Sequence, residues 1–347
     1  MSRNGILAAG NWIVDRIKTV DRWPEQDALA LIESEGRGSG GSPFNLLLGL
    51  SRLKAGLPLD GIGLVGDDAD GVFILDECRK AGVGIRFLRK LPGQPTSYTD
   101  VMTVKSTGRR TFFHNHGANA FLAEPHFDPD ASNARIFHLG YLLLLNSLDM
   151  PDPEFGTRAA RVLARYRGAG FKTSVDVVSE LSDRFGRVVA PALPQVDYLI
   201  LNELEAGHTT GIPLRQGEKI DDAALPRAAR ALFEMGVREW VIIHFPDGAF
   251  ARSRSGEEFA SRSFEYPEGW IRSTVGAGDA FCGGVLYGLH EGWGMQACLR
   301  LGACSAAASL SHSTCTEGIL PLKETLALAD RFPPRHLFPL SSARLLM

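Results

Sequence analysis

Thr274-Val275-Gly276-Ala277-Gly278-Asp279-Ala280-Phe281 places a carboxylate directly after a stretch free of bulky side chains, at the start of an apolar helical pattern. A helix start carries unpaired N–H groups and partial positive charge, so this segment could hold a transferring phosphoryl group or another developing oxyanion. Asp279 would stand beside that anion hole, kept ionised by the helix dipole. Phosphoryl transfer asks only for a positioned acceptor of the hydroxyl proton, so a modest base suffices. A structural reading of the same residues also stands: the glycines let a loop turn tightly, and Asp279 stabilises the first helical turn.

Asn202-Glu203-Leu204-Glu205 follows the apolar run Tyr198 to Leu201. It therefore falls at the carboxyl end of a strand, where open α/β sheets bind ligands. Asn202 and Glu205 could orient magnesium-bound water around phosphates, since magnesium keeps several waters and takes few protein carboxylates. The same spacing also fits an N-cap asparagine with its capping-box acid. Asp15, Asn45 and Asp176 lie just after strands or at a helix start and could face one crevice, although each also suits a turn or cap. His114 and His116 alternate along a strand, but no third metal ligand accompanies them, and they read as surface.

Two glycine patterns, Gly36 to Gly41 and Gly61 to Gly66, match GxGxxG. The second lies inside the strand that it should follow. For the first, the acidic residue expected about 20 positions on is Asp60, which precedes the next strand when it should end it. A dinucleotide site is therefore disfavoured. A phosphate loop of the GxxxxGK type is absent, because the chain contains no Gly-Lys dipeptide.

The elements that must position these groups alternate. Short β-like runs at Ile6 to Ala9 and Ala28 to Ile32 lead to a glycine loop and a helix from Pro43. Ile62 to Val65 reads as a strand, Val72 to Ala81 as a helix, and Tyr98 to Val104 with Thr111 to Phe113 as a hairpin, the one clear antiparallel signal. Strands at Ile136 to Leu139, Thr173 to Val177, Tyr198 to Leu201 and Trp240 to His244 are separated by helices reaching about Arg167, Ala192 and Met235. Two late helices follow, Ala280 to His290 and Met295 to Leu310. This order predicts an α/β fold with a mostly parallel sheet and helices on both faces. The expected division is one large domain over 1–331, carrying a small β lid from about 11–38 and 96–116, with a peripheral tail over 332–347.

Composition narrows the function classes. Lys and Arg total 37 against 40 Asp and Glu, a net charge of -3 that offers no basic field for nucleic acid or anionic lipid. The five cysteines include no CxxC pair and read as small core residues in a reducing compartment. No secretory signal or spanning run is read in the chain, so the expected location is the cytoplasm.

Three motifs in order resemble one family, the ribokinase-like or PfkB carbohydrate kinases, over about Ile6 to Leu320. They are Gly40-Gly41-Ser42-Pro43-Phe44-Asn45 with Gly63-Leu64-Val65-Gly66-Asp67-Asp68 and Gly71; Asn202 with Glu205; and Thr274 to Phe281 with Gly283 and Gly284. The resemblance implies a ribokinase-like three-layer sandwich with a small β-sheet lid. It implies an ATP- and Mg2+-dependent kinase that transfers the γ-phosphoryl group to a primary hydroxyl of a sugar or polyol. Asp279 would be the base, and Gly276, Ala277 and Gly278 the anion hole. Asn11, Asp15, Gly40, Gly41, Asn45 and Asp176 would line the sugar site. Thr274 and Gly248 would lie on the nucleotide side with Asn202 and Glu205, the latter meeting the metal through water. Members often dimerise through the lid.

Three departures mark this chain. Ser273 stands where the family usually has aspartate, removing a carboxylate associated with monovalent-cation binding in some members. Phe245 occupies an expected turn glycine, where it could narrow the phosphate path. Trp12 and Ile13 replace smaller or polar residues common beside the sugar. A nucleoside kinase is the alternative within the same chemistry, and a ligand-binding relative without turnover is the alternative outside it.

Overall fold

The computed structural model describes residues 3–217, 219–335 and 344–345. Its first half runs β1 (Ile6–Gly10), β2 (Ile13–Val20), β3 (Ile32–Gly40), α1 (Ser42–Arg52), β4 (Leu59–Gly66), α2 (Ala69–Lys80), β5 (Gly84–Leu91), β6 (Tyr98–Val104), β7 (Arg110–Asn115) and β8 (Ile136–Leu142). The second half runs α3 (Arg158–Gly168), β9 (Lys172–Val177), β10 (Tyr198–Asn202), α4 (Glu203–Thr210), α5 (Ala224–Glu234), β11 (Trp240–Phe245), β12 (Gly248–Ser253), β13 (Glu258–Arg262), α6 (Ala277–His290) and α7 (Met295–Leu310).

Strands apolar on both faces must be covered on both faces. In β1, Leu7 and Ala9 enter one core cluster while Ile6 and Ala8 enter the other, and β10 divides Leu199 and Leu201 from Tyr198 and Ile200 in the same way. The main sheet has the order β13-β12-β11-β10-β9-β8-β1-β4-β5, with Arg344–Leu345 beside β13. From β11 to β5 all neighbours are parallel; β12 and β13 add antiparallel. Helices α1, α6 and α7 cover one face and α3, α4 and α5 the other. In a second sheet, β3-β2-β6-β7, the strands pair only with one another among the described residues, and the β2–β6 pair is parallel. Among the described residues no helix is long and apolar enough to cross a membrane.

Several expectations are corrected. The hairpin over 98–115 is not the only antiparallel element: β12 and β13 extend the main sheet, and β5, outside the expected strands, forms its far edge. The glycine-rich stretch Gly36 to Gly40 is strand, not loop, so its GxGxxG spacing builds no phosphate turn. The helix expected to reach Ala192 shrinks to Phe185–Val188 and a 3-10 turn at Ala190–Gln195, where Pro191 and Pro194 stop a longer helix from forming. Likewise α3 waits until Thr157, whose hydroxyl accepts from the Ala160 N–H at 3.2 Å, because Pro151 and Pro153 precede it. The tail expected at the periphery begins with Phe332, which is buried against Trp270 and Tyr266. Residues 336–343 and 346–347 of that expectation lie outside the described residues.

Trp12 does not stand beside a ligand cavity but inside the core, fully buried, with its indole N–H donated to the Ile62 carbonyl at 2.8 Å. Its ring lies flush on β4: a Cβ on Gly61 would come within 2.4 Å of it and one on Gly63 within 2.1 Å. That close approach, not a dinucleotide, explains the second GxGxxG. Gly63→Ala should therefore force the indole off its rotamer and destabilise the fold by about 1–3 kcal/mol, read as a lower urea midpoint at unchanged slope.

Candidate active site

The parallel strands end along one edge, and a cavity of about 500 Å³ opens there. Ligands enter open α/β sheets at this edge. Tyr141 reaches the cavity from β8, Asp176 and Val177 from β9, Asn202 from β10 and His244 from β11. Asn45 projects from the first turn of α1, and Gly276, Gly278 and Asp279 border it at the start of α6. The small sheet closes the remaining side with Ile13, Asp15, Thr99, Phe112 and His114.

Gly276 caps α6 at φ 79°, a left-handed conformation, and a Cβ there would lie 2.4 Å from that of Cys315. Glycine is thus required by backbone and space together. The first internal bond of the helix runs from the Ala280 N–H to the Gly276 carbonyl at 2.9 Å. The N–H groups of Ala277, Gly278 and Asp279 consequently have no partner in the helix ladder and face its open end.

Asp279 is buried, and its carboxylate accepts hydrogen bonds from Asn45 Nδ2 at 2.8 Å and from the Tyr141 hydroxyl at 2.8 and 2.9 Å. The expectation that the dipole keeps it readily ionised needs correction. Burial, followed by repulsion from Asp176, raises its pKa to about 7, while the bonds from Asn45 and Tyr141 pull the other way. It is therefore a base poised near neutrality. Asp15 is raised to about 8, first by burial and then by the charge of Asp279.

Asn202 and Glu205 form the complete capping box of α4. The Asn202 side chain accepts from the Leu204 and Glu205 N–H groups, and Glu205 accepts from the Asn202 N–H at 2.9 Å. The remaining bonds, from Asn202 Nδ2 and the Ser179 hydroxyl, both reach Glu205 Oε1, so Oε2 accepts only the Asn202 N–H. Burial raises the Glu205 pKa to about 8. A carboxylate with a spare lone pair on the cavity wall fits magnesium held through water.

Of the residues singled out in the sequence, Asp15, Gly41, Asn45, Asp176, Asn202, Glu205, Thr274, Gly276, Gly278 and Asp279 converge on the cavity. Asn11, Gly40, Ala277 and Gly248 do not line it. Asn11 is fully buried and ties β1 to the end of β8, donating to the Leu144 carbonyl and accepting from the Tyr141 N–H. Gly40 backs Asp15, leaving no room for a Cβ. Gly248 opens the β12 hairpin strand. Phe245 packs in the core and does not line the cavity; its neighbour His244 faces the cavity instead, held neutral by burial at a pKa of about 4. Ser273 is buried and receives the Val275 N–H at 3.2 Å. His114, read as surface, forms part of the cavity wall. Tyr141 lies past Leu139, where the apolar run suggests that the strand ends; β8 continues to Leu142, and a place at the strand's carboxyl end is the sequence signal for this residue.

A family model described as pfkB family carbohydrate kinase matches residues 4–322. The 5-dehydro-2-deoxygluconokinase of Clostridium perfringens is 28% identical over 284 residues, covering 80% of each chain. The ATP-dependent ribose-1-phosphate kinase of Halopiger xanaduensis is 28% identical over 285 residues, 81% of this chain and 83% of that one. Ribokinase of Arabidopsis thaliana, solved with ribose and ATP, superposes with a TM-score of 0.75 at 20% identity, over 94% of this chain and 99% of that one. That likeness is one of fold.

Removing a hydrogen-bond donor from a buried carboxylate disfavours its charged form. Tyr141→Phe should accordingly raise the Asp279 midpoint above about 7, followed by carbon NMR titration of labelled aspartate carboxyls. An unchanged midpoint would show that the phenol does not hold the charge.

Proposed function

Because the chain belongs to the pfkB family of carbohydrate kinases, phosphotransferases with a sugar or nucleoside acceptor, we propose that it moves the γ-phosphoryl group of ATP to a primary hydroxyl of a sugar or related polyol. The observation that carries this reading is the placement of Asp279. A buried carboxylate of near-neutral pKa stands in the same helical turn as three uncommitted N–H groups, at the end of a cavity of small-molecule size.

In this reading Asp279 takes the proton of the attacking hydroxyl, while the N–H groups at the start of α6 stabilise charge on the transferring group. Asn45 and Tyr141 hold the carboxylate in aim. Asp15 and the free oxygens of Asn45 and Asp176, both buried without hydrogen-bond partners, accept hydroxyls of the acceptor. Asn202, Glu205 and Thr274 lie on the nucleotide side, where Glu205 would hold magnesium through water; when bound, the metal neutralises phosphate charge. The small sheet would act as a lid that excludes water able to take the phosphoryl group. Trp23, Phe113, Leu29 and Leu31 leave apolar surface exposed on and beside that sheet, which supports a homodimer formed through it. The expected location is the cytoplasm.

The reading is tested by coupled ADP release with ATP and Mg2+ against pentoses, hexoses, sugar acids and nucleosides. Asp279→Asn should lower kcat on the order of 10²–10⁴-fold with little change in KM, since the group acts in the transition state. In the wild type, kcat/KM should climb with pH from about 7 to about 8, as Asp279 and then Asp15 and Glu205 lose their protons. Unimpaired turnover in the variant would remove Asp279 from the base role.

A further inference from the structure

His138 and Cys282 have no part in the reaction above, yet with Asp176 they bring a nitrogen, a sulfur and a carboxylate oxygen within 4.8 Å of one another. All three side chains are buried. They arrive from three elements: His138 on β8, Asp176 two residues beyond its register partner Ser174 on β9, and Cys282 on the second turn of α6. We propose that these residues form a binding site for a thiophilic divalent cation, with zinc the best match to the donor set.

The geometry is close to what such an ion needs. Bonds of about 2.0–2.3 Å in a tetrahedral site put donors roughly 3.3–3.8 Å apart. His138 Nε2 already lies 3.5 Å from Asp176 Oδ2. On its other side, His138 Nδ1 is 3.1 Å from the Ser174 hydroxyl. An Nδ1–H donated there fixes the ring and leaves the Nε2 lone pair for a metal. The Ser42 hydroxyl, 3.0 Å from Nε2, is the group that must turn aside. Asp176 Oδ1 is enclosed without a hydrogen-bond partner.

Burial, and then the charges of Asp176 and Asp279, push the Cys282 thiol far up, so its thiolate forms only with a cation beside it. Entry is open, because Asp176 and Cys282 both line the cavity. On binding, the Sγ–H bond breaks, its proton leaves to solvent and the thiolate pair bonds the metal, so affinity tightens as pH rises. Magnesium, which takes oxygen ligands, is excluded by the sulfur and nitrogen donors. The ion would withdraw Asp176 from acceptor hydroxyls. Resting on the kinase reading, inhibition should be competitive with the acceptor and not with ATP.

The test is a cobalt(II) titration of the whole, nucleotide-free protein in a non-chelating buffer with a thiol-free reductant. One ion per chain should bind with a near-ultraviolet thiolate-to-cobalt charge-transfer band, and zinc should displace it. Cys282→Ser should abolish the band, Cys78→Ser should keep it, and His138→Gln should weaken binding about 10- to 100-fold or more. Ser174→Ala, which leaves all three ligands in place, should weaken it by about tenfold and keeps the test decisive if Cys282→Ser folds poorly. No band in the wild type, or a band that survives Cys282→Ser, overturns the site. Absence of phosphoryl transfer with every acceptor would sink the kinase reading alone, since the titration does not depend on it.

Discussion

Burial of the Asp279 carboxyl is the constraint around which the site is built. Burial disfavours its charged form, and the charge of Asp176 adds to the penalty. Asp279 escapes part of the penalty through two donors, Asn45 and Tyr141, and through its seat in the first turn of α6. Each donor in turn depends on something distant. Asn45 is aimed by the start of α1, and Tyr141 by the end of β8, whose backbone is tied to β1 through Asn11. The acidity of one side chain thus draws on two helices and two strands.

The same logic explains why the parallel sheet matters more than its size. Neighbouring parallel strands deliver their carboxyl ends to one line, so β8, β9, β10 and β11 each contribute a residue to one cavity without any long loop. Helix α6 then crosses from the opposite direction and presents its amino end to that line. Strand ends supply acceptors and acids; the helix end supplies N–H donors.

Much of this was legible in the chain. The apolar runs of β1, β8, β9, β10 and β11 and the late helices followed from spacing, a shared crevice for Asp15, Asn45 and Asp176 from their strand-end and helix-start positions, and the meeting of that crevice with Asp279 from the family resemblance. What escaped did so for physical reasons. Gly61 and Gly63 were glycines for the sake of a tryptophan nearly fifty positions away, a long-range contact that no local pattern encodes. Proline spacing at Pro191 and Pro194 cut a helix that apolar periodicity alone would have continued. For Asn202 and Glu205 the capping-box reading is met, and making that box leaves both side chains on the cavity wall. The pKa of Asp279 turned on burial, which a sequence does not display.

The two sheets share no hydrogen-bonded strand pair, yet each furnishes one wall of the cavity. Asp279, Asn45, Tyr141 and Asp176 belong to the large layered body, while Asp15, Thr99, Phe112 and His114 belong to the small sheet. Substitutions on the second wall can reshape what is admitted without disturbing the ladder that aims the first. Sequence drift can then alter one wall while the other is held, although a single chain encodes both.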